Sequence, residues 1–276
     1  MIGFVGLCVG SFLNVVIYRL PIMMERDWRQ QSAEFLEIRL SDNDSDSDSV
    51  TFNLSTPNSK CPACKAAIRA WQNIPVFSYI MLGGKCANCK TSISIRYPLV
   101  EFVTAVLSIL IAWHFGFSLQ TLFALILLWS LIALSLIDLD HQLLPDSITL
   151  PLLWLGLFSS VFNVFTDSKS SIIGAIAGYL SLWSVYMVFK LLTGKEGMGF
   201  GDFKLLAVFG AWFGWKFLPV IILLSSVVGA VVGICMIVFT KRGKEVPIPF
   251  GPYLAGAGLI ALFCGEQLIA WYLGRF

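Results

Sequence analysis

Two short clusters place carboxylates beside long apolar runs. Ile137-Asp138-Leu139-Asp140-His141-Gln142-Leu143-Leu144-Pro145-Asp146 closes one such run, and Gly197-Met198-Gly199-Phe200-Gly201-Asp202-Phe203-Lys204 opens another. Ionisable groups in apolar segments are costly, so they are candidates for function by default. Asp138 belongs to the last turn of a helix. Asp140 and His141 read as solvated boundary residues, and Asp146 or Ser147 as caps of the helix after Leu144-Pro145. Asp202 follows three glycines within five residues, which let the backbone approach a neighbour closely. Taken alone, Gly-x-Gly-Asp is a weak motif, and Asp202 reads equally as a simple helix cap. The spacing matches neither the dinucleotide nor the Walker phosphate loop. Two aspartates at one membrane depth on separate helices make a stronger constellation. Close carboxylates cannot both ionise cheaply, so one keeps a proton while the other acts as base. Such a pair suits activation of water against a peptide carbonyl.

A second constellation is Cys61-Pro-Ala-Cys64 and Cys86-Ala-Asn-Cys89, with 21 residues between the pairs. Four thiolates at this spacing close a tetrahedral zinc site and leave no position open for water, so the expected role is structural. Disulfides are the other reading, disfavoured in a reducing compartment. Cys8, Cys235 and Cys264 stand singly in apolar runs and read as packing residues.

The elements that must position these groups follow from composition. Of 276 residues 57% are hydrophobic and 13% charged, with a mean hydropathy of +0.79. Soluble domains carry about 25% charged residues. Crossing a bilayer takes roughly 20 apolar residues. Windows at 97–115, 119–137, 149–165, 172–192, 217–239 and 253–273 qualify or come close, and Ile2–Ile17 and Phe203–Trp215 are shorter candidates. The expected fold is an all-α polytopic membrane protein of about eight transmembrane helices with a zinc-ribbon-like cytoplasmic loop. Its parts are a first transmembrane helix at 1–18, the loop at 19–96, and a membrane core at 97–276. Of the 19 Lys and Arg residues, this topology leaves only Lys169, Lys216 and Arg275 outside, the bias of cytoplasmic loops. It puts both aspartates on the cytoplasmic face. The first span is short for a crossing, as if the native helix began upstream or had been trimmed. Arg19 and Pro21 read as its membrane exit, and no feature of a cleavable signal peptide flanks it. Ser41–Val50, SDNDSDSDSV, reads as a disordered insertion and lacks the glycine and terminal glutamate of a calcium loop. A net charge of +2 suggests no nucleic-acid partner. Asn14 is expected to bond a neighbouring helix, and Pro247–Pro252 to form a stiff re-entry turn.

Taken together, several stretches resemble the type IV prepilin leader peptidase/N-methyltransferase family. They are Gly10-Ser-Phe-Leu-Asn-Val-Val-Ile-Tyr-Arg-Leu-Pro21, the two cysteine pairs, Arg96-Tyr97-Pro98-Leu99-Val100-Glu101, Asp138 to Asp146, Gly197 to Lys204, and Pro247-Ile-Pro-Phe-Gly-Pro252. The resemblance implies a GxGD-type aspartic peptidase of the bacterial inner membrane, with Asp138 and Asp202 as its dyad. It implies cleavage of basic leaders from prepilins and type II secretion pseudopilins. It also implies methylation of the new amino terminus by S-adenosylmethionine. Gly84, Arg96 and Glu101, at the membrane-proximal end of the loop, are candidates for holding that cofactor, and Arg96 and Glu101 read as readily as an ion pair at the entry of the second span. The acidic insertion and the short amino terminus depart from the family pattern without touching the dyad. A transporter or proton relay is the rival reading, but it expects mid-bilayer charges and internal repeats. A zinc-stapled scaffold without chemistry is a second rival, one that would tolerate asparagine at positions 138 and 202. Substrate identity and oligomeric state are not legible in the sequence.

Overall fold

The computed structural model describes residues 1–37, 52–195, 197–240 and 249–273. The acidic insertion at 41–50 lies outside these, as do Pro247 and Ile248. The chain forms two compact units, Met1–Trp113 and His114–Phe276.

The first unit is built on α1 (Ile2–Phe35) and α3 (Arg96–Phe115), with the short α2 (Phe77–Met81) in the connecting loop. A Gly-x-x-x-Gly pair on α1 sets their contact. A Cβ on Gly6 would lie 2.8 Å from Ala105 Cα, and one on Gly10 2.7 Å from Glu101 Cα. Such small residues let membrane helices approach backbone to backbone. Asn14 Nδ2 donates to Tyr97 O at 3.1 Å, as expected of a polar group between helices.

The first helix does not end at Arg19. It continues through Pro21 to Phe35, 34 residues in all, or about 51 Å at the helical rise. Arg19 is buried and turned onto the loop, where it donates to Asn53 O at 2.9 Å and Pro57 O at 2.6 Å. Arg19 and Arg26, two turns apart, both lie over the Phe52 ring. Arg19 ties the loop to the helix.

The second unit holds α4 (Leu119–His141), α5 (Asp146–Val161), α6 (Ser168–Thr193), α7 (Phe200–Phe213), α8 (Leu218–Thr240) and α9 (Gly251–Leu273). Local chemistry sets the helix ends. Ser118 accepts from Thr121 N to cap α4, and Asp167 accepts from Ser170 N to cap α6. The Ser170 amide holds the Asp167 carboxyl below its usual range. Left-handed Gln142 and Gly194 end α4 and α6. Asp146 is the first residue of α5, whose N-cap is Pro145 without a side-chain cap, so capping is not its role.

α7 is the centre. Every residue from Asp202 to Phe213 except Lys204 is buried, the pattern of a helix hydrophobic all round and enclosed by protein. Glycines on its neighbours make the room: Gly156 faces Trp212, Gly174 faces Gly210 O, Gly178 faces Leu206 O, and Gly258 faces Phe209. Trp212 Nε1 donates to Leu152 O at 2.8 Å and Ser171 Oγ to Ala211 O at 2.6 Å. Among the described residues, six helices are long and apolar enough to cross a membrane. The expected eight is therefore six by this measure, because α5 has 16 residues and α7 has 14.

Candidate active site and metal centre

Asp138 lies on the last turn of α4 and Asp202 on the first turn of α7. Both side chains are buried, at 5% and 8% exposure, and their carboxyls are electrostatic neighbours. Leu144, from the break after α4, lies against both Gly201 on α7 and Gly251 at the start of α9. A Cβ on Gly201 would meet Leu144 Cβ at 2.7 Å, and one on Gly251 would meet Leu144 Cδ2 at 3.2 Å. The glycines beside Asp202 thus serve close approach. Apolar rings line the same end of α7: Phe203 packs against Tyr179, Tyr186 and Phe200. The arrangement sets two buried carboxyl groups from separate helices within electrostatic reach of one another, where acid–base chemistry on a bound substrate is feasible.

Two contacts here escaped the sequence reading. Gly251, the first residue of α9, donates its N–H to Asp138 Oδ2 at 2.9 Å. The only hint was a Gly-Pro step, which commonly opens a helix. Lys204 Nζ sits 2.7 Å from both carboxylate oxygens of Asp146. This pair links the start of α5 to α7 beside the candidate dyad, across 58 residues of sequence. Asp140 is exposed.

The four cysteines converge. Their sulfur atoms lie within 4.8 Å of one another, and Cys61 Sγ is 3.8 Å from Cys89 Sγ. A tetrahedral ion with metal–sulfur bonds of about 2.3 Å separates its ligands by about 3.8 Å. The two knuckles repeat one geometry. Cys61 N donates to Ala66 O and Lys65 N to Cys61 O; likewise Cys86 N donates to Thr91 O and Lys90 N to Cys86 O. Lys65 and Lys90 both have positive φ, 58° and 61°. The Thr91 hydroxyl and amide hold the Cys89 thiol down to about 6, and the Ala66 amide with the Asn88 side chain lowers Cys64. At Cys89 and Cys64 the thiolate, the metal-binding form, is thereby favoured, whereas burial and the Cys86 and Cys64 side chains push the Cys61 thiol up.

Gly84 and Glu101 both touch the segment around α2. Glu101 is buried and its Oε2 accepts from Val76 N at 2.7 Å, with the Ser11 side chain also beside it. Val76 has φ +58° and ψ −46°, a strained conformation for a β-branched residue. Gly84, at φ +68°, would place a Cβ 3.0 Å from the Tyr79 ring. Arg96 opens α3, with its N–H 3.3 Å from Ser94 Oγ.

Residues 4–115 match the family model described as the bacterial peptidase A24 N-terminal domain, and residues 125–234 that of the type IV leader peptidase family. The chain is 59% identical to a protein of Stutzerimonas stutzeri named prepilin leader peptidase/N-methyltransferase, over 97% of this chain and 91% of that one. It is 56% identical to one so named from Pseudomonas aeruginosa, with the same coverage. A third, from Legionella pneumophila, is 47% identical over 99% of this chain and 94% of its own. No solved structure matches.

Proposed function

Because the chain belongs to the type IV leader peptidase family, we propose that it removes basic leaders from prepilins and type II secretion pseudopilins and methylates the freed amino termini. The observation that carries the peptidase reading is the pair of buried carboxyls, Asp138 at the end of one helix and Asp202 at the start of another, within electrostatic reach of each other. One takes a proton from water as the water attacks the peptide carbonyl, and the other gives a proton to the carbonyl oxygen. The six apolar helices and the bias of Lys and Arg favour a bacterial inner-membrane enzyme with this chemistry at the cytoplasmic face. The second unit supplies the peptide-cutting core and the first the metal-stapled loop. Incubation of purified protein with a prepilin, scoring leader removal and methyl incorporation separately, tests both activities.

The cysteine cluster holds a structural zinc in this reading. About one zinc per chain is expected by elemental analysis, lost on changing any of Cys61, Cys64, Cys86 or Cys89 to serine. Chelator should act slowly, through loss of loop order. Rapid loss of cleavage from a still-ordered loop, reversed at once by zinc, would point to a metallopeptidase instead.

S-adenosylmethionine, when bound, supplies an electrophilic methyl group. Gly84, Arg96 and Glu101 are the residues proposed to hold it. The fit rests on an aromatic ring, Tyr79, and a buried carboxylate meeting one short segment, a setting suited to a sulfonium cation. Glu101 also braces the Val76 turn. Gly84→Leu crowds Tyr79 and strains a left-handed position. It is expected to depress methylation roughly tenfold while cleavage stays within about threefold. Equal loss of both activities, or loss of neither, refutes this placement.

A further inference from the structure

Asp138 and Asp202 are chemically identical, yet their surroundings differ. Asp138 sits three residues before the carboxyl end of α4, where the helix dipole opposes a negative charge. What compensates is α9: its first amide, Gly251 N–H, points at Asp138 Oδ2 from 2.9 Å. A second observation shows that the approach is fitted. A Cβ on Gly251 would lie 2.7 Å from that same oxygen, so only glycine lets the amide come so near. Asp202 receives no bond from another helix among the described hydrogen bonds. Its own helix offers the Gly199 amide and a diffuse dipole. The nearby cation, Lys204, is engaged by Asp146. The Gly251 amide bonds Asp138 at 2.9 Å, whereas the Gly199 amide does not reach the Asp202 carboxyl with hydrogen-bond geometry, and a formed charge-assisted bond outweighs a looser amide and a diffuse dipole.

We propose that Gly251 is a positioning residue that holds Asp138 as the ionised base, leaving Asp202 as the carboxyl that keeps the shared proton. The assignment rests on the peptidase reading. Asp138 removes a proton from water as the water oxygen bonds to the scissile carbon. Asp202 delivers its proton to the carbonyl oxygen, giving a neutral gem-diol. The carbon–nitrogen bond then breaks as Asp138 passes its proton to the leaving nitrogen and Asp202 recovers one from a gem-diol hydroxyl. Peptide and water become acid and amine, and the pair returns to its starting state.

Two measurements on the full-length protein test this. Replacing Gly251 by glycolic acid turns its amide into an ester, removing the N–H and adding no Cβ. Leader removal should lose about tenfold or more in kcat, with KM for prepilin and the melting temperature unchanged. The matching ester at Tyr253, whose N–H bonds Phe250 O, controls for fraying of α9 and should leave kcat within about twofold. An unchanged kcat at position 251, or equal loss from both esters, overturns the positioning role. The second measurement is binding of a prepilin peptide whose scissile bond is a hydroxyethylene group. Asparagine resembles a protonated aspartate, so Asp202→Asn should bind within about fivefold of the parent, and Asp138→Asn roughly a hundredfold more weakly. Equal losses or the reverse order overturn the assignment alone. Failure of the parent to bind at all counts against the peptidase reading itself.

Discussion

Asp138→Asn and Asp202→Asn are each expected to lower prepilin cleavage by roughly a thousandfold or more, with the protein still folded in the membrane. The size follows from the role, since loss of a general acid or base alone costs about a hundred- to ten-thousandfold. Folding should survive because asparagine matches aspartate in shape. At position 138 its oxygen can still accept from Gly251 N–H. The buried charge that aspartate brings also disappears, which relieves desolvation. Asp140→Asn and Asp146→Asn serve as controls. Asp140 is exposed and the Asp146 side chain is 54% exposed in its pair with Lys204, so neither should cost more than a few-fold. Leader removal by detergent-solubilised protein, checked against its thermal melt, decides the matter. Near-normal cleavage by either asparagine variant would end the dyad assignment.

Gly210→Leu should be the most damaging substitution for the fold. Gly174 on α6 and Gly210 on α7 stand so close that a Cβ on either falls inside contact of the other's carbonyl oxygen. That obstacle is backbone, so it cannot swing aside as a flexible side chain can. Overpacking a tight core costs about 1–3 kcal/mol, and more where helices must separate. Separating these two helices would also pull Gly178 from Leu206 O and break Ser171 Oγ–Ala211 O. Little monodisperse protein should be recovered from membranes. Gly256→Ala is the counterpart, because nothing lies within 4 Å of a Cβ there. It should hold or slightly raise the melting temperature, as alanine favours helix. Comparable yields from both variants would show that this contact does not determine the fold.

The cysteine spacing and the apolar windows were legible because each is local and periodic. The end of α1 was not. Membrane reasoning stops a helix at the first charge, but Arg19 finds its acceptors at Asn53 and Pro57, more than thirty residues downstream. The segment beyond it has an ordinary helical basis, including the Glu25–Arg29 pair one turn apart. α7 reads as a doubtful span because hydropathy does not distinguish lipid from protein as its neighbour. Its short length and its partners' glycines make sense only once α5, α6 and α9 are seen around it. Gly251 was hidden for another reason: its contribution is a backbone amide, which leaves no mark in residue type. Lys204 and Asp146 are each unremarkable charges until folding brings them together.

The paired cysteine knuckles carry a topological consequence. An ion shared between them would act as a cross-link, turning the intervening 21 residues into a closed ring. Closing a flexible ring of that size removes about 2–3 kcal/mol of chain entropy, on top of any metal–ligand bonding. That ring carries Val76, α2 and Gly84, and Glu101 on α3 pins it at Val76 N. Cutting the cross-link would leave Glu101 to hold the strained turn alone, at the end of an untethered strand of polypeptide. A metal that takes no part in bond making would thereby govern how long that turn keeps its shape.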